Sequence, residues 1–116
     1  MSTKSPECYT TKPQARCLRV EISSGQSLLL PLDQFAFAEL NSGDKEQVFH
    51  LSFATHEITV RGNALRRIEA AMQELELSFL TPLPAKYHSL LPDGQPRIRE
   101  IVVVEIKPGS EEGQLN

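Results

Sequence analysis

From Cys17 to Ser23 apolar and polar residues alternate, with Leu18, Val20 and Ile22 on one side and Arg19, Glu21 and Ser23 on the other. A period of two predicts a half-buried strand. "SSGQS" then reads as a turn in which Gly25 is free to take positive φ. Ser27 to Leu30 predicts a short second strand, which Pro31 ends or pushes to an edge. In "QFAFAEL", Phe35 and Phe37 fall on one face and Ala36 and Ala38 on the other. "NSGDK" at Asn41 to Lys45 is a turn signal, so a hairpin into Gln47–Phe53 follows.

The next pair can be set in register. If Phe53 opposes His56 across Ala54-Thr55, then Leu51 meets Ile58 and Phe49 meets Val60 on one face. Ser52 with Glu57, His50 with Thr59 and Val48 with Arg61 then share the other. A slip of one residue destroys this agreement. Ala-Thr is poor hairpin chemistry, so a single bent strand with a bulge is the rival.

Leu65, Ile68, Met72, Leu75 and Phe79 recur at spacings of three and four, behind Gly62 and the N-cap residue Asn63. This predicts an amphipathic helix of four turns. Pro82 and Pro84 bar its continuation. A proline-marked connection leads to a last strand, Arg97 to Ile106, whose "IVVV" core is apolar on both faces. That pattern predicts a central, doubly covered strand.

The expected fold is α+β: a mostly antiparallel sheet of five to six strands with one amphipathic helix on one face, in the order β-β-β-β-β-α-β. Residues 1–15 are polar and aperiodic and read as a flexible arm, 107–116 as a flexible tail, and 16–106 as a single domain. The chain's 116 residues suit one such domain.

Charge and composition narrow the function. A net charge of −3 and a pI near 5.6 argue against a dedicated nucleic-acid binder. No apolar run is long enough to span a bilayer, and the N-terminus lacks a signal-peptide core. Two cysteines give no disulfide framework, so a cytoplasmic protein is the expectation. The glycine spacings match no phosphate or dinucleotide loop, and no cofactor is implied. "HEITV" puts Val60 where a zinc protease needs its second histidine. His50 and His56 lie on opposite faces in the hairpin register, or about 20 Å apart along a single strand, so no metal site is expected. Ser, His and Asp cluster in "HSLLPDG", but a triad needs convergence in space, and no catalytic residue is assigned.

Arginines remain. Arg61 ends a strand, Gly62-Asn63 makes the turn, and Arg66 and Arg67 fall at the third and fourth helical positions. Cations there oppose the helix dipole, at a cost of about 0.3–1 kcal/mol each when exposed. With Asn63 they form a candidate site for an anion, a phosphorylated ligand, nucleic acid or a protein partner. The simpler account pairs Arg66 with Glu69 and Arg61 with Glu57 or another strand carboxylate. Lacking any catalytic signature, the chain reads first as a non-enzymatic protein-interaction or self-associating module. Two copies of its helix, basic at one end and acidic at the other, would match antiparallel across a two-fold.

Overall fold

A computed structural model of the chain describes residues 7–23, 25–84, 86, 91 and 94–106. Among these described residues eight strands and one α-helix succeed one another as β1 (Tyr9–Thr11), β2 (Cys17–Ser23), β3 (Gln26–Pro31), β4 (Phe35–Ser42), β5 (Gln47–Phe53), β6 (His56–Asn63), α1 (Arg66–Gln73), β7 (Leu77–Leu80) and β8 (Arg97–Glu105). They form two four-stranded sheets, one ordered β1-β7-β2-β3 and the other β4-β5-β6-β8. The expected single sheet of five to six strands is therefore incorrect. A 3-10 turn at Leu32–Gln34 carries the chain from the first sheet to the second, straight after Pro31 has ended β3.

Two strands escaped the pattern. β1 is three residues long and lies in the stretch expected to be an arm, yet it pairs antiparallel with β7. Backbone bonds from the Lys12 N–H to the Glu76 carbonyl (2.8 Å) and from the Thr81 N–H to the Cys8 carbonyl (2.9 Å) tie its two ends. Cys8 itself is buried, and its thiol donates to the Pro96 carbonyl at 3.3 Å. β7 was concealed by the helical spacing. The helix stops at Gln73, and Leu75 takes φ 55°. The Glu76 N–H then bonds the Ala71 carbonyl and the Leu75 N–H the Met72 carbonyl, both at 2.9 Å. That pair of bonds is a Schellman stop, normally built on glycine. With leucine there, no residue announces the helix end, and Leu77 and Leu80 go on to a strand that runs parallel to β2.

Ile68 and Met72 of the short helix are buried together with Leu65. α1 touches β4 of one sheet and β7 of the other, so it bridges the sheets instead of lying on one face. One apolar core joins Leu18, Val20 and Leu30 of the first sheet to Phe49, Leu51, Ile58, Val60, Ile98 and Ile101 of the second.

β5 and β6 pair in the expected register, with Leu51 opposite Ile58, Phe49 opposite Val60 and His50 opposite Thr59. The bent single strand is excluded. The turn survives its poor chemistry because neighbours clamp it: the Ala54 N–H donates to the Gln34 carbonyl (2.9 Å), and the Ile106 N–H to the Thr55 carbonyl (2.8 Å). In β4 a bulge between Phe35 and Phe37 separates two side chains expected to share a face. Phe35 meets the ring of Phe53 at 5.5 Å, while Phe37 is 57% exposed.

β8 corrects another expectation. Among the described residues it stands at an edge, with β6 as its one strand neighbour. Ile98 and Ile101 enter the core, while Val102 and Val104 are 39% and 55% exposed. An apolar run shows that a strand can be covered on both faces, not that it is.

Candidate functional site

Arg61 lies on the outer face of the second sheet, in the ladder between Val48 and Glu100. Its Nε is 3.6 Å from Glu100 Oε1. A β-bulge brings Arg99 alongside, and its guanidinium donates from Nη2 to Glu46 Oε1 (2.7 Å) and from Nε to Glu46 Oε2 (3.0 Å). Arg99 also stands 3.9 Å from Glu100. The four groups form an alternating surface network. Arg99's two bonds hold the Glu46 carboxyl below the usual range, with Arg61 adding to the effect, and the same contact raises Arg99. Arg61 is thus matched by carboxylates, although Glu100, not Glu57, supplies the closest.

Asn63 is not a helix cap. It is the last residue of β6, opposite Arg97, and its Nδ2 donates to the Lys45 carbonyl at 3.0 Å. Gly62 likewise belongs to the strand and not to a turn. A Cβ there would stand 1.8 Å from the Arg97 carbonyl oxygen, so the strands approach too closely for any side chain. The reversal falls at Ala64, with φ 56°. Leu65 caps the helix without a side-chain bond, and its own N–H donates to Gln47 Oε1 at 2.7 Å. Gln47 went unnoticed in the sequence, because a strand-end glutamine carries no signal for such a role.

Arg66 and Arg67 therefore open the helix as its first and second residues instead of its third and fourth. Both are exposed, and neither joins an ion pair among the described residues. Arg97 faces the other way in function: its guanidinium donates to the carbonyls of Leu91 (3.0 Å) and Gln95 (3.5 Å), bracing the segment before β8. Arg61 and Arg99 thus belong to a neutralised network, Arg97 to a loop brace, and Arg66 and Arg67 to an open helix end.

His50 shares a hydrogen bond with Thr59 Oγ1 (3.3 Å) and stands 3.5 Å from Glu57, whereas His56 is bonded to Thr55 Oγ1 (2.8 Å). His88, Ser89 and Asp93 of "HSLLPDG" lie outside the described residues. Among the described residues no three His, Cys, Asp or Glu side chains gather as metal ligands, and no helix is long and apolar enough to cross a membrane.

The fold and these surfaces define a two-sheet, β-rich domain with one bridging helix. Comparison with protein-family models, characterised proteins and solved structures finds no match.

Proposed function

We propose that this chain is a non-enzymatic interaction module that self-associates through the edge of β8. The observation that carries the reading is the composition and position of that strand. β8 is nine residues long and stands at a sheet edge, and Val102 and Val104 are exposed on its outer face. The Leu83 N–H occupies the Ile98 carbonyl (2.8 Å); beyond it, the outer side of β8 has no strand partner among the described residues. Natural edges of this length are usually blunted by charge, proline or cover, because open N–H and C=O groups recruit another strand.

The edge is self-complementary. Antiparallel pairing about a two-fold at Val102 sets Val102 against its counterpart in the second copy, and Ile101 against Val103. Two four-stranded sheets then continue as one of eight. The antiparallel pairing of two helices suits the protein less, because α1 ends at Gln73 and leaves Glu74 and Glu76 outside its regular turns. The test is mass by sedimentation over a broad range of concentration, for the natural chain and for Val102→Lys. A dimer that the lysine abolishes, with the circular dichroism unchanged, supports the proposal. A natural chain that stays monomeric at about millimolar concentration, above a Kd worth roughly −4 kcal/mol, refutes it.

A further inference from the structure

Positive charge gathers on the opposite sheet. Lys12 and Arg16 from the β1–β2 connection and Arg19 from β2 line one groove of about 430 Å³, together with Cys17, Leu29 and Ser78. Register supports the placement, because Arg19 lies opposite both Leu29 of β3 and Phe79 of β7 on the outward face. No carboxylate lines the groove, and none of the three cations joins an ion pair among the described residues. Asp33 belongs to the adjoining groove, which shares Ala15 and Arg16. In a chain of net charge −3 this is a local excess of three positive charges, in contrast to the neutralised Arg61–Glu100–Arg99–Glu46 network.

The connection carrying two of the cations is held at both ends. The Lys12 N–H donates to Glu76 (2.8 Å), the Leu32 N–H donates to the Arg16 carbonyl (2.8 Å), and the Ala15 N–H closes a turn onto Lys12 (3.1 Å). The charges are therefore brought together by backbone bonds before any ligand arrives. Leu29, 56% exposed, adds an apolar wall beside them. The volume falls within the range of about 300–1,000 Å³ common for small-molecule sites.

We infer that this groove binds a small organic phosphate, its phosphate held by Arg16, Arg19 and Lys12 and its apolar part laid on Leu29. Guanidinium forks match phosphate oxygens in pairs, and the ammonium of Lys12 adds a third contact. The site is separate from the β8 edge and does not depend on self-association.

Cys17 supplies the readout. It is the exposed cysteine, whereas Cys8 is buried, so neutral iodoacetamide should alkylate the folded chain at Cys17. Adenosine monophosphate, pyrophosphate and adenosine would be added in turn to the full chain at low salt. The expectation is that adenosine monophosphate slows alkylation at least about fivefold at saturation, binds more tightly than pyrophosphate, and that adenosine protects little. Arg16→Glu with Arg19→Glu should weaken that binding more than about tenfold. Arg66→Glu with Arg67→Glu should leave it unchanged, and thermal melts would verify that both double variants fold. Absence of protection at about 10 mM nucleotide overturns the proposal. So does equal affinity for pyrophosphate, equal protection in the Arg16/Arg19 variant, or loss of protection in the Arg66/Arg67 variant.

Discussion

Leu75 shows how one residue can conceal a boundary. At φ 55° it occupies the left-handed position that closes α1. A β-carbon is unwelcome there, so the usual ranking of alanine over glycine in helices should invert. Leu75→Gly is expected to be about 1 kcal/mol more stable than Leu75→Ala, a gap of roughly 4–8 °C in Tm. Both variants lose the same side chain, so the comparison isolates the backbone. Gly62 makes the opposite demand. With the Arg97 carbonyl where a Cβ would stand, Gly62→Ala should cost about 2–4 kcal/mol in urea unfolding. A third residue ties stability to pH. Burial pushes the Cys8 thiol from the usual 9.0 to about 11. The folded chain therefore holds this proton more tightly than the unfolded chain, a contribution fully present below about pH 9.0 and lost as pH rises toward 11. Stability should fall across that window by at most about 1.4 kcal/mol for each pH step of one, and Cys8→Ala should lack this decline.

Among elements, legibility followed length and alternation. The β5–β6 register could be read from sequence because both strands are seven residues or longer and have one apolar face. β1 and β7, at three and four residues, are too short to establish a period. Leu75 and Phe79 also continued the helical spacing of Leu65, Ile68 and Met72 across the start of β7. The bulge in β4 separated Phe35 from Phe37, something that a count of alternating residues cannot anticipate. The candidate site was legible only in part. Its residue types were visible, but Asn63 was assigned to a cap when it ends a strand, and the start of the helix is satisfied by Gln47 from β5. Removing that acceptor with Gln47→Ala should cost about 1 kcal/mol, and Gln47→Glu, which keeps an oxygen in place, should cost less. Chemical denaturation of the two variants checks both values.

At the scale of the whole molecule, the chain covers its core with two sheets where the sequence suggested one. The difference comes from non-local pairing: β1 and β7 join across more than sixty positions to complete the first sheet. Contacts so distant in sequence leave no local periodic trace. The edge position of β8 has the same origin, since strand order depends on which elements pair and not on how apolar each one is. That order leaves Val102 and Val104 exposed and underlies the proposed assembly. Its register can be measured directly with Val102→Cys in a Cys17→Ser background. A two-fold at position 102 places the introduced thiols of two copies on directly opposed residues, about 4.5–5.5 Å apart between α-carbons, within disulfide reach. Mild oxidation should yield a covalent dimer, and a thiol introduced by Val48→Cys, farther from the edge, should not. A self-associating chain that fails to cross-link at 102, or cross-links equally at 48, would contradict the β8 interface.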